Sequence, residues 1–276
     1  MTAVRVSFIS SHAQLGGAER YLELLIGELG PEWVAGAVSL QDGPFVPRLR
    51  AVAPALQVIP APARAGMLIT ALRLRAELRR QRPDVVHANG LKAALVGGLA
   101  TAGTRTPVVW VKHDTGGDGR LANAVGRLCD QIVGVSPAVV ATFRGSLRRK
   151  VSVVPNGIPE PRADAVAGRV ALDQALGEPG QVVMLAGRLH PWKGQIELVE
   201  AAPEILSELP DTHFALVGSA DQSTPEYAEQ VQQRIRERGL RDRVHLLGHR
   251  DDLPDLMAAA DVVVVPSVRV FESTVW

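Results

Sequence analysis

Short, densely apolar runs alternate with amphipathic stretches from one end of this chain to the other, and that alternation constrains its fold most. Strands are expected at Val4–Ile9, Ala35–Leu40, Leu56–Ile59, Val85–His87, Val108–Val111, Gln131–Val135 and Val151–Val154. Helix-like segments lie between most of them, at Ala18–Leu29, Met67–Arg82, Leu91–Ala102, Leu121–Asp130 and Pro137–Ser146. Strands this short and this apolar are buried on both faces, which requires a parallel sheet covered by helices. The pattern then restarts. Strand candidates Val182–Ala186, Phe214–Val217, Val244–Leu247 and Val262–Val265 alternate with helices near Gln195–Leu206, Pro225–Arg238 and Leu253–Ala260. The interval Pro155 to Arg169 is rich in Pro, Gly and charge and reads as a linker. The expected fold is α/β, with two Rossmann-like doubly wound domains, residues 1–158 and 159–276, facing a cleft. Ligands are then expected beyond the carboxyl ends of the strands.

Composition narrows the chemistry. A length of 276 residues is natural for two such domains. The net charge of +1 gives no electrostatic case for nucleic acid. A single cysteine, Cys129, excludes an intrachain disulfide and a cysteine-based zinc cluster, in keeping with a reducing, cytoplasmic compartment. Met1 to Ser10 has no basic n-region or cleavage site, so no secretory signal is read there. Apolar helix candidates such as Leu91 to Ala102 are too short to span a bilayer. No Asp-x-Asp or paired-histidine metal motif stands in a suitable place, and no G-x-G-x-x-G follows the first strand of either half, which disfavours a dinucleotide oxidoreductase.

The most informative stretch is Gly187-Arg188-Leu189-His190-Pro191-Trp192-Lys193-Gly194, between a buried strand and a helix. Glycines let a backbone approach a ligand, and a helix N-terminus presents unpaired N–H groups to an anion. Cations at that end oppose the helix dipole. Arg188 and Lys193 therefore read as partners of a phosphate or diphosphate, the alternative being solvated loop charges. Elsewhere, Gly16-Gly17 opens the first helix after a strand, as an ordinary glycine turn or a backbone facing a ligand. His87 and His113 each end a strand, as structural histidines or as polar contacts. Gly218 ends another strand where a ligand has room to approach. Ser136-Pro137 is a helix start with its cap, and Asp251-Asp252 reads as a helix cap before Leu253.

The segment Gly187-Arg188-Leu189, Pro191 and Lys193-Gly194 resembles the diphosphate loop of family 4 glycosyltransferases, enzymes of the GT-B fold. The resemblance runs from about Val4 to Ser267 and also takes in Gly16-Gly17-Ala18-Glu19, Ser136-Pro137 and Pro155-Asn156-Gly157. It implies transfer of a sugar from a nucleoside-diphosphate donor to an acceptor hydroxyl, with retention at the anomeric carbon and without a metal cofactor. The acceptor would be a glycan or a lipid-linked molecule. Arg188 and Lys193 would hold the donor diphosphate, Gly16 and Gly17 would line the cleft, and His87 would stand in its wall. His113 would lie by the donor sugar and the reacting centre, and Arg250 near the base, the alternative for Arg250 being a surface charge.

Beyond Ser267 the resemblance ends. The family's Glu, Phe-Gly and spaced second Glu are not found in Val268 to Trp276, and Glu272 is a doubtful match to the sugar-binding Glu. A truncated second domain, with an open sheet edge and an uncovered strand face, is the expectation. The alternatives to an active transferase are a catalytically silent nucleotide-binding fragment and an epimerase or phosphorylase of the same fold. Arg73, Arg75, Arg79, Arg80 and Arg82 share one helix and read as a solvated face, the alternative being peripheral contact with an anionic membrane.

Overall fold

The computed structural model describes residues 4–61, 66–114, 119–160, 162–221 and 224–267. The chain divides into two compact units between Ile158 and Pro159. In the first, strands β1 (Val6–Ser10), β2 (Val34–Ser39), β3 (Leu56–Val58), β4 (Val85–Asn89), β5 (Val108–Lys112), β6 (Gln131–Gly134) and β7 (Val151–Val153) form one sheet. Every pairing is parallel, and the order is β3-β2-β1-β4-β5-β6-β7. Helices α1 (Gly17–Glu28), α2 (Phe45–Val52), α3 (Met67–Gln81), α4 (Leu91–Thr101), α5 (Arg120–Arg127) and α6 (Pro137–Val140) connect the strands.

Alternate strand residues feed two cores. Ile9, Val86, Val108 and Trp110 pack with Leu74, Val96 and Val125 from α3, α4 and α5. On the opposite face Phe8 and Ala37 pack with Leu22 and Ile26 of α1 and with Phe45 and Leu49 of α2. Both faces are covered, which is why the strands lack a polar face.

The second unit holds α7 (Ala165–Leu176), β8 (Gln181–Ala186), α8 (Gln195–Glu208), β9 (Thr212–Val217), α9 (Glu226–Glu237), β10 (Val244–Gly248), α10 (Leu253–Ala259) and β11 (Val262–Val263). Its four described strands are parallel in the order β10-β9-β8-β11. Both sheets are therefore wound in two directions from their first strand. The order reverses between β1 and β4, and again between β8 and β11. Crevices at these reversals are where such sheets bind ligands.

Several boundaries differ from the sequence reading. Helix α7 begins inside the stretch read as linker, because Asp164 caps it by accepting from Val166 and Ala167 N–H, both at 3.0 Å. Helix α2 was not anticipated. The helix expected over Pro137–Ser146 is only α6, and the chain then turns into a 3-10 segment at Gly145–Lys150. Ser136 does cap α6, accepting from Val139 N–H at 3.4 Å. Asp252 occupies the N-cap position of α10 but makes no cap bond, because its carboxylate grips Arg250 instead. Strand β11 lies at the sheet edge, with Val262 and Val263 half-exposed.

Candidate functional site

At the reversal of the first sheet, the turn after β1 and the turn after β4 are tied together. Ser11 Oγ crosses between them and accepts the Ala93 N–H at 2.9 Å, so a β1-loop side chain caps α4. Gly90, with φ of 93°, lies against it, and a Cβ there would stand 2.8 Å from Ser11 Oγ. Asn89 Nδ2 donates to the Ala18 carbonyl at 3.0 Å, and Asn89 Oδ1 meets His113 Nε2 at 2.7 Å. That amide orientation assigns the proton of His113 to Nε2 and leaves Nδ1 as a hydrogen-bond acceptor. His113 is thus a fixed, neutral imidazole. Burial pulls its pKa down to about 4.

Tyr21 stands edge-on to the His113 ring at 4.9 Å and stacks on His87 at 6.0 Å. Its hydroxyl lies 3.3 Å from His87 Nε2. Burial pushes the Tyr21 phenol up to about 12. Burial first, and the neighbouring His113 second, take His87 down to about 4. His87 is buried at the centre of β4 and touches the site through Tyr21.

A cavity of about 410 Å³ opens here. His12, Glu19, Asn89, Lys112, His113 and Asp114 give it a polar side, and Met67, Leu91, Leu95, Trp110, Leu121 and Val125 an apolar one. Lys112 is almost fully buried and donates from Nζ to the Asp114 carbonyl. Among the first-unit residues singled out in the sequence, His113 lines this cavity. Gly16 and Gly17 stand just before the lining residues Ala18 and Glu19, and a Cβ on Gly16 would lie 2.7 Å from Glu19 Oε2.

In the second unit, the turn after β8 is held by backbone bonds that prolong the sheet. Gly187 N–H donates to the Val217 carbonyl at 2.8 Å and Leu189 N–H to Ser219 at 2.9 Å. The turns after β8 and β9 thus run side by side, and Asp221 meets Arg188 at 2.5 Å. Lys193 folds back so that its Cδ lies 3.5 Å from where a Gly187 Cβ would be. Gly194 opens α8 with φ of 77°, and a Cβ there would lie 2.0 Å from the Pro266 carbonyl oxygen after β11. Gly218, with φ of 151°, is equally tight against the Gly187 carbonyl oxygen, at 2.0 Å. Arg188, Lys193 and Gly218 therefore gather at the carboxyl end of β8 and β9, beside the sheet reversal. Arg250 lies past β10, bound to Asp252 at 2.8 and 2.5 Å. Glu272 lies outside the described residues.

Sequence reasoning missed Asn89, Ser11, Trp110 and Asp221. The first two act by reaching across turns that are distant in sequence. Asp221 lies in an unremarkable polar stretch, and its signal was its position just beyond Gly218.

Comparison with known proteins gives a consistent result. A family model described as Glycosyltransferase Family 4 matches residues 15–162, and one described as Glycosyl transferases group 1 matches residues 180–275. The chain is 27% identical over 213 residues to the UDP-Gal:alpha-D-GlcNAc-diphosphoundecaprenol alpha-1,3-galactosyltransferase of Escherichia coli, covering 69% of this chain and 54% of that protein. It is 29% identical over 280 residues to the GDP-mannose-dependent alpha-(1-6)-phosphatidylinositol monomannoside mannosyltransferase of Mycolicibacterium smegmatis, covering 91% and 69%. The solved structure of Anabaena Alr3699/HepE in complex with UDP superposes with a TM-score of 0.80 at 26% identity, over 96% of this chain and 75% of that one. The chain spans about half the length of most of the curated relatives it matches.

Proposed function

Because the chain belongs to glycosyltransferase family 4, we propose that it transfers a sugar from a nucleoside-diphosphate donor to an acceptor hydroxyl. The observation that carries this reading is the pair Arg188 and Lys193 at the turn opening α8, beside Gly187 and Gly218. Two cations and the α8 N-terminus converge where the departing diphosphate gathers charge. Preorganised charge aimed at where charge develops is usually the largest single term in catalysis. Under this reading no divalent ion is required, and turnover persists in a chelator. The donor's nucleotide belongs to the second unit and the acceptor to the first, whose neutral His113 stands by the donor sugar and receives a hydrogen bond from one of its hydroxyls through Nδ1. Retention at the anomeric carbon follows the family and is read directly from the product by proton NMR.

The relatives named above act with UDP-linked or GDP-linked sugars on lipid-linked acceptors, and we carry that donor and acceptor class over to this chain. The experiment is to mix the protein with UDP-glucose and GDP-mannose, with and without alkyl glycoside acceptors. Acceptor-dependent release of nucleoside diphosphate supports the transferase. Conversion of the donor without acceptor indicates an epimerase, and binding without turnover indicates a silent fragment.

A second reading concerns the membrane. Leu68, Ile69 and Leu72 of α3 are 65%, 58% and 62% exposed, and Arg73 and Arg79 follow on the same helix. Exposed aliphatics beside cations suit peripheral contact with an anionic bilayer at the cytoplasmic face. Among the described residues no helix is long and apolar enough to cross a membrane. Sedimentation with anionic vesicles but not zwitterionic ones is expected, and Leu68→Ser with Leu72→Ser abolishes it.

A further inference from the structure

The turn that carries Arg188 is held from two sides. On one side, Gly187 N–H and Leu189 N–H donate to the Val217 and Ser219 carbonyls after β9. On the other, Gln195 Nε2 donates to the Arg188 carbonyl at 2.9 Å. That carbonyl and the Leu189 N–H belong to one peptide group, which is planar. The plane is therefore pinned at both edges, and with it the direction in which the Arg188 side chain leaves the backbone. A carbonyl can only accept, so the atom of Gln195 that faces it is the amide nitrogen.

Gln195 is built as a strut. It is the first residue of α8 and is fully buried. The start of α8 is itself anchored, because the Tyr227 hydroxyl of α9 accepts the Ile196 N–H at 3.4 Å. Gly194, just before it, is crowded by the Pro266 carbonyl. The Gln195 side chain thus leaves a fixed backbone and ends on the Arg188 peptide. Its second amide atom, Oε1, is buried with no hydrogen-bond partner among the described residues. A buried amide with one half unpaired is a costly way to fill a core position. Packing alone favours an apolar residue here, and the bond to Arg188 is what glutamine adds.

We propose that Gln195 is a positioning residue of the donor site. It holds the Arg188 peptide, Asp221 holds the guanidinium at the far end of the side chain, and the arginine is fixed at both ends. The inference rests on the reading of this turn as the diphosphate site. Gln195 touches no ligand and acts through Arg188. Its loss lowers the share of affinity that comes from the second phosphate and leaves the share from base, ribose and first phosphate in place.

The test titrates the full chain with UDP, UMP, GDP and GMP, comparing the unmodified protein with Gln195→Met and Val199→Ala. Gln195→Met keeps the size of the side chain and removes its donor. It is expected to lower the preference for diphosphate over monophosphate about fivefold, with monophosphate affinity and the urea midpoint nearly unchanged. Val199 is buried in the core under the same helix. Val199→Ala is expected to lower the urea midpoint and keep the preference. A second readout uses the unmodified chain, in which the Gln195 side-chain amide resonance is expected to shift with UDP or GDP and to stay in place with UMP or GMP. A preference that survives in folded Gln195→Met, an equal loss in Val199→Ala, or an amide resonance unmoved by diphosphate overturns the proposal and leaves the donor reading standing. An unmodified chain with no preference for diphosphate overturns both.

Discussion

The carboxylate of Asp221 holds the Arg188 guanidinium at 2.5 Å, from a turn 33 residues further along the chain. Asp221 is 5% exposed, whereas the Arg188 side chain is 58% exposed. The acid is part of the fold and the base is the presented group. An arginine fixed in this way offers its remaining N–H groups to a diphosphate in a set direction.

Substitutions here should separate charge from direction. Arg188→Ala is expected to weaken nucleoside-diphosphate binding at least tenfold, roughly 1.4 kcal/mol. Arg188→Lys should recover only part of that, because an ammonium lacks the planar fork. Asp221→Ala should weaken binding about fivefold through lost orientation. Titration calorimetry reads all three. Tighter binding by Asp221→Ala would show that the acid competes with the ligand instead of aiming Arg188.

Backbone crowding gives a second set of outcomes. Gly194→Ala and Gly218→Ala place a Cβ 2.0 Å from a carbonyl oxygen, each at positive φ. Each should destabilise the protein by about 2–4 kcal/mol in denaturant unfolding. Gly177 also has positive φ, at 85°, but meets nothing within 4 Å. Gly177→Ala should cost only about 1 kcal/mol. Equal losses at all three positions would remove close packing as the cause.

The contrast between what the sequence carried and what it hid has physical causes. The β8 strand was legible because both its faces are covered, so Val182 to Ala186 reads as one apolar run. Helix α7 was hidden by Pro, Gly and charge around it, although Asp164 as a cap and Leu172 and Leu176 at one-turn spacing were present as signals. Helix α2 buries Phe45, Val46 and Leu49 within a single short span, too little for a period to emerge. The loop of Arg188 and Lys193 was legible because a turn, two cations and a helix start are adjacent in sequence. The bond between Asn89 and His113 was not, because it joins two strand ends 24 residues apart.

Asn89 and His113 give a kinetic outcome. His113→Ala should lower kcat by about 10²-fold if its Nδ1 steadies the reacting sugar. Asn89→Ala should lower it by about tenfold, through loss of the fixed tautomer. Nucleoside-diphosphate affinity should be nearly unchanged in both. Steady-state kinetics beside calorimetry reads this split, and parallel losses in kcat and nucleotide affinity would make the effect structural.

Acid should loosen the first unit before carboxylates titrate. His87 and His113 are both neutral in the fold, with pKa values lowered to about 4 by burial. Unfolded histidines titrate near 6.5. The unfolded state therefore binds more protons below that value, and stability present above pH 6.5 is lost as pH falls towards 4. The slope is on the order of 1.4 kcal/mol per pH unit for each histidine. Denaturant unfolding between pH 6.5 and 5 should show it, and His87→Phe with His113→Asn should reduce it, burial having lowered His213 and His245 of the second unit as well. A slope undiminished in the double variant would place its source outside the first unit.

The most direct test of the donor cradle compares nucleoside diphosphates with monophosphates. UDP, GDP and ADP are titrated against UMP, GMP and AMP, with the unmodified chain and with Arg188→Ala/Lys193→Ala. At least one diphosphate should bind tenfold or more tightly than its monophosphate, and the double variant should erase that preference. Diphosphates and monophosphates bound alike, or a preference that survives the loss of both cations, would contradict the assignment of this turn to the donor.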